Sequence, residues 1–86
     1  MGIKDTLKQR GEHYGEFKGH AEITQRLKEA MACGDSWDKL TPSQMEALEM
    51  IAHKIGRILN GDPDYVDSWH DIAGYATLIE EELTCI

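Results

Sequence analysis

Two cations and two carboxylates in the second half of the chain have the types and spacing to handle a phosphate. Lys54 and Arg57 lie three residues apart; beyond a proline-marked break, Asp67, Asp71 and Tyr75 follow at intervals of four. On a helix, those spacings put side chains on one face. Two helices joined by a short turn run antiparallel, so residues equally far from the turn lie side by side. Lys54 and Arg57 are then expected to face Asp67 and Asp71. Two roles are open to the set. One is an interhelical salt-bridge network, worth little where it is exposed. In the other, the cations hold a phosphate while the aspartates orient them, bind ribose hydroxyls or carry Mg²⁺.

A second cluster is the stretch RGEHYGEF, Arg10 to Phe17. Arg10 can fork onto an anion and Tyr14 can stack on a base; the alternative is an N-terminal arm with Tyr14 and Phe17 in the core. A third is Glu46 and Glu49, whose ExxE spacing puts two carboxylates on one helical face, as divalent-metal sites require. Acidic helices carry that spacing often. Glu49–His53 and His53–Arg57 are i,i+4 pairs of the kind found on a solvated face. His20 falls among Ile23, Leu27, Ala30 and Met31, where a satisfied core histidine is expected more often than a ligand. No Ser/His/Asp or Cys/His arrangement, phosphate-cradling glycine loop or zinc spacing is present.

The elements that must position these residues read as all-α. The chain predicts one domain over residues 1–86: an N-terminal arm over 1–19, then three main helices over 20–33, 42–60 and 63–83, the last two an antiparallel hairpin. Thr41, Pro42 and Gln44 form a capping box with proline in the first turn. Asn60-Gly61 is the stop, and Asp62-Pro63 is a second start. At ~100° per residue, the third segment collects Met45, Ala47, Leu48, Ile51, Ala52, Ile55, Ile58 and Leu59 as its core stripe. The last collects Tyr65, Val66, Trp69, Ile72, Ala73, Ala76, Ile79 and Leu83, with Trp69 expected against Ile51, Ile55 or Ile58. Opposite that stripe lie Asp67, Asp71, Gly74, Tyr75 and Leu78. Glycine inside a helix costs ~1 kcal/mol relative to alanine, so a close approach is expected at Gly74, and likewise at Gly56.

Composition narrows the partners. Nine Lys+Arg against sixteen Asp+Glu give a net charge of −7. From Asp62 onward there are acids and no Lys or Arg, which argues against a nucleic acid duplex as partner. No apolar run approaches the ~20 residues of a membrane span, and no signal peptide opens the chain. Cys33 and Cys85 read as free thiols of a reducing, cytoplasmic setting. A domain this small buries only ~60% of its unfolded surface. An oligomeric helical bundle, dimer or tetramer, is therefore expected, built partly on the face with Gly74, Tyr75 and Leu78.

The motifs R-x-x-x-Y-G-x-F at Arg10 to Phe17, M-I-A-H-K-I-G-R-I-L-N-G at Met50 to Gly61 and D-S-W-H-D-I-A-G-Y at Asp67 to Tyr75 together resemble a family of small proteins common in bacteriophages and prophages. That resemblance implies action in the cytoplasm of an infected bacterium. More distantly, the chain is similar to the all-α nucleoside triphosphate pyrophosphatases of the MazG type, oligomeric bundles in which ExxE on one helix and ExxD on the next hold Mg²⁺. Glu46 and Glu49 match the first half and Asp71 the end of the second, where Ser68 replaces the leading acid. If the chain is such an enzyme, Glu46, Glu49 and Asp71 are its metal-binding and catalytic residues and Mg²⁺ its cofactor. The chain is also similar in type to small helical phage proteins that sequester nucleotide signals of bacterial immunity without a cofactor. The ligand-binding set expected for that role is Arg10, Tyr14, Lys54, Arg57, Asp67, Asp71 and Tyr75. A module that binds a host protein is the third class of function.

Overall fold

The helix over Pro42–Asn60 has the most completely specified start. Thr41 Oγ1 accepts from the Gln44 N–H at 3.1 Å, and Gln44 Oε1 accepts from the Thr41 N–H at 2.9 Å. Pro42 follows in the first turn, where its missing N–H is no loss. The structure, a computed structural model, describes residues 2–85. Among these it contains α1 (Ile3–Tyr14), α2 (Phe17–Ala32), a 3₁₀ turn at Trp37–Lys39, α3 (Pro42–Asn60) and α4 (Val66–Thr84), and no strand. The fold is all-α. Helix α3 lies in the middle, with α2 packed along one flank, α4 along the other, and α1 against α2 and α3. The start of α3 (Pro42, Ser43) and the end of α4 (Glu82, Cys85) line one groove, so the hairpin is antiparallel. No described helix is long and apolar enough to cross a membrane.

Four helices replace the expected three. The N-terminal arm is a helix of 12 residues, whose Lys, Gln, Arg, Glu and Leu are good helix formers. It buries no residue, and its apolar pair, Ile3 and Leu7, is exposed, so it has no apolar stripe to announce it. Helix α2 starts at Phe17 rather than at residue 20, immediately after a turn through Gly15 at φ 75°. Helix α4 starts at Val66 rather than at Pro63. The Asp62 carboxylate accepts from the Asp64 N–H at 2.9 Å, which makes a turn rather than a helix cap.

The rotation of α4 also differs. Its least exposed residues are Ser68, Asp71, Ile72, Tyr75 and Ile79, while Val66, Ala73, Ala76 and Leu83 are exposed. Trp69 is 54% exposed and donates its indole N–H to the Pro63 carbonyl at 2.8 Å, instead of packing on Ile51, Ile55 or Ile58. The helix is turned by roughly one residue, ~100°, from the phase its apolar stripe implies. An ion pair to a buried lysine accounts for this: Lys54, 9% exposed on the α4 flank of α3, has its Nζ 2.9 Å from Oδ2 of the partly exposed Asp71. A buried ammonium must be paired, so the carboxylate face of α4 turns inward. Ser68, 3% exposed, gives the close approach that a larger side chain would block.

The two flagged glycines separate. A Cβ at Gly56 would overlap Thr24 Oγ1 and press on the His20 ring, whereas nothing lies within 4 Å of a Cβ at Gly74. Gly56→Ala is therefore expected to lower stability by about 1–3 kcal/mol through overpacking. Gly74→Ala is expected to raise it by about 1 kcal/mol through helix propensity. Urea unfolding of the two variants checks this, and a neutral Gly56→Ala would refute the close α2–α3 approach.

Candidate functional site

The turn between α1 and α2 is fastened to the end of α3. Asn60 Nδ2 donates to the carbonyls of Tyr14 and Glu16, both at 2.8 Å. The Asp62 N–H donates to the His13 carbonyl at 2.7 Å. Three glycines make the approach possible: a Cβ at Gly15 or Gly19 would strike Asn60, and one at Gly61 would strike the His13–Tyr14 backbone. Seated this way, Tyr14 meets Arg57. The guanidinium carbon lies 4.1 Å from the Tyr14 ring centroid, a cation–π contact. Tyr65 then packs edge-on to Tyr14 at 5.8 Å, with His13 stacked on it at 4.0 Å.

Two cavities flank this stack and share Arg10, Tyr14 and Arg57. One, of ≈ 510 Å³, lies between α1, α2 and α3 and is also lined by Leu7, Phe17, His20 and His53. The other, of ≈ 560 Å³, lies toward α4 and adds Thr6, Gln9, His13 and Tyr65. Each contains two arginines and a single acid, Glu16 in the first and Glu12 in the second. The chain as a whole is acidic, yet two of its nine Lys and Arg residues line both cavities. Guanidinium groups bind phosphate in forked pairs, and the Leu7 and Phe17 wall suits a flat apolar group beside it.

At the inner wall of the first cavity, His20 Nε2 and His53 Nδ1 are 3.2 Å apart, and Thr24 Oγ1 lies 3.5 Å from His20 Nδ1. One proton fills the contact between the two rings; a second would set two N–H groups against each other. Burial, then the Arg57 charge, then His20, Lys54 and Lys28 push the His53 pKa down to about 4. Burial, then Arg57 and Lys54, also lower that of His20, against an upward pull from the Gly56 backbone. Both shifts favour the neutral form of the rings at pH 7. The sequence hides the pair, because the i,i+4 spacing of Glu49, His53 and Arg57 reads as a solvated face. Its signals were a histidine on an apolar stripe, which needs a buried polar partner, and a glycine one turn beyond His53.

The remaining expected site residues are elsewhere. Lys54 and Asp71 are spent on each other, and Lys54 holds the Asp71 carboxyl below its ordinary range. Asp67 sits in the first turn of α4, where the helix dipole favours an acid, and its carboxylate raises the Tyr65 pKa. Tyr75 and Glu46 line a third groove, of ≈ 690 Å³, with Glu81 and Glu82. Glu49 is half-buried on α3. Among the described residues no three His, Cys, Asp or Glu side chains are placed to hold a metal, so Glu46, Glu49 and Asp71 do not converge. Of the seven expected ligand-binding residues, the structure brings Arg10, Tyr14 and Arg57 together and leaves Lys54, Asp67, Asp71 and Tyr75 outside both cavities.

The histidines set a pH dependence. Their folded pKa values lie below the ordinary 6.5, so the unfolded chain binds more protons between that value and about 4. Stability is then complete above about pH 6.5 and falls as the pH drops toward 4. Asp71 adds its own loss only below its ordinary value of 3.8. The urea midpoint is expected to fall between pH 7 and pH 5 in the native protein and to fall less in His53→Gln. Equal slopes in the two proteins would refute the neutral buried pair.

No curated protein matches the chain, and no solved structure matches it. One family model spans nearly all of it, including every residue of the two cavities. By that match, over residues 4–83, the chain belongs to the family described as domain of unknown function DUF6378.

Proposed function

We propose that the protein binds a nucleotide or nucleotide-derived signal in the cavity between α1, α2 and α3 and holds it without changing it. The observation that carries this reading is the convergence of Arg10 and Arg57 with Tyr14 around ≈ 510 Å³ of space, beside a neutral histidine pair. The volume lies within the ~300–1,000 Å³ of ordinary ligand pockets. The arginines take the phosphates; Tyr14, Phe17 and Leu7 take the base. Sequestration needs no metal and no activated water, and the carboxylates of a pyrophosphohydrolase, Glu46, Glu49 and Asp71, stand apart. The setting that fits is the cytoplasm of an infected bacterium, where a phage protein of this kind would lower the level of a host immunity signal.

The test is incubation with a panel of nucleoside triphosphates and cyclic and ADP-ribose-type nucleotides, with and without Mg²⁺. Intact ligand is expected in the heat-released fraction. Arg10→Ala and Arg57→Ala are each expected to weaken binding at least tenfold, about 1.4 kcal/mol, while Asp71→Asn changes stability and leaves affinity alone. Hydrolysed product would point to the enzyme instead. Failure of every ligand in the panel would leave a protein-binding role.

A further inference from the structure

One side of the α3–α4 hairpin is apolar and faces outward. Leu48 and Leu59 of α3 are 41% and 65% exposed, and Trp69 of α4 is 54% exposed. Ile55 and Ile72 are half-buried and Ala76 is exposed. Leu48, Ile51 and Ala76 line one shallow groove of ≈ 330 Å³, which places the two stripes on the same side of the molecule. No charged residue interrupts the face between Leu48 and Leu59 or between Trp69 and Ala76 at these helical phases. It lies away from the Arg57–Tyr14 stack.

We infer that this face is where a second copy of the chain docks, hairpin against hairpin, to form a four-helix interface. Surface area argues for an occupant. A folded monomer of 9.7 kDa should expose about 5,100 Å². This chain exposes 6464 Å², an excess of about 1,300 Å² over that expectation, against the ~800 Å² per partner of a standard interface. The shape agrees, with a radius of gyration of 14.7 Å against about 12 Å for a compact chain of this length. The core of the single chain is also small: among the described residues the buried apolar ones are Ala47, Ala52 and Ile58, and no large side chain is fully buried. Charge argues for a second copy as the occupant. At −7, two copies repel through any acidic face, and this uncharged one lets them meet. A two-fold axis through the hairpin sets the same residues against each other. The face expected for association from the sequence, around Gly74, Tyr75 and Leu78, is a different one: Tyr75 and Leu78 line the groove with Glu46, Glu81 and Glu82, where two copies would set like charges together.

The test is mass in solution by sedimentation or light scattering. The native protein is expected at twice 9.7 kDa. Leu48→Glu and Trp69→Glu, both at sites exposed in the single chain, are expected to give folded monomers by circular dichroism. Phe17→Ser, at an exposed residue off the face, is expected to stay dimeric. In a Trp37→Phe background, dilution is expected to shift Trp69 emission to the red as the dimer parts. Should Leu48→Glu or Trp69→Glu fail to fold, that dilution shift decides. A native monomer at high micromolar concentration would overturn the inference. So would a dimer untouched by Leu48→Glu and Trp69→Glu, or Trp69 emission that does not change on dissociation.

Discussion

Everything about the cavity depends on the Asn60 side chain. Its amide spans the α1–α2 turn, donating to the Tyr14 carbonyl at the end of α1 and to the Glu16 carbonyl, which also accepts from the His20 N–H. The fit is possible because Gly15 and Gly19 present bare backbone to it and Gly61 presents bare backbone to His13 and Tyr14. A side chain at any of the three would push α1 off the end of α3. Helix α1 has no buried residue to hold it, so this backbone joint, not apolar packing, fixes where Arg10 and Tyr14 stand. A cation–π contact with Arg57 then completes the site from the α3 side.

Charge is sorted by the same geometry. Lys54 turns toward α4 and is neutralised by Asp71. Arg57, nearly one turn further along, emerges on the other side against an aromatic ring and stays available to an anion. Two of the acids of the last helix, Glu81 and Glu82, line the groove at its C-terminal end, away from Arg57. The neutral His20–His53 pair gives the cavity wall ring nitrogens without adding charge there, and Arg57 is one of the reasons it stays neutral.

What could be read in the sequence followed local chemistry. Helix α3 was legible from Thr41 to Asn60 because its capping box and terminal glycine are contiguous signals. The Lys54–Asp71 pairing was legible because helical spacing and a short turn suffice to bring them together. Helix α1 was not, because it carries no apolar stripe. The rotation of α4 departs from its apolar arc because a buried lysine on α3 draws the aspartate side in and leaves Trp69 out. Arg10 and Tyr14 belong to one sequence cluster and Arg57 to another. Nothing in the sequence joined them, since the joint is made by Asn60, which had read only as a helix stop.

The central claim is that an anion enters between α1, α2 and α3. It is tested most directly by nuclear magnetic resonance of the arginine and histidine side chains during titration with ATP or pyrophosphate. Shifts are expected at Arg10 and Arg57 and at the His20 and His53 rings, with the His53 pKa rising from about 4 as a bound anion favours the imidazolium. The Lys54 ammonium, held by Asp71 outside the cavity, is expected to stay still. Shifts confined to the groove of Glu46 and Tyr75, or no shifts at the two arginines at saturating ligand, would contradict the account.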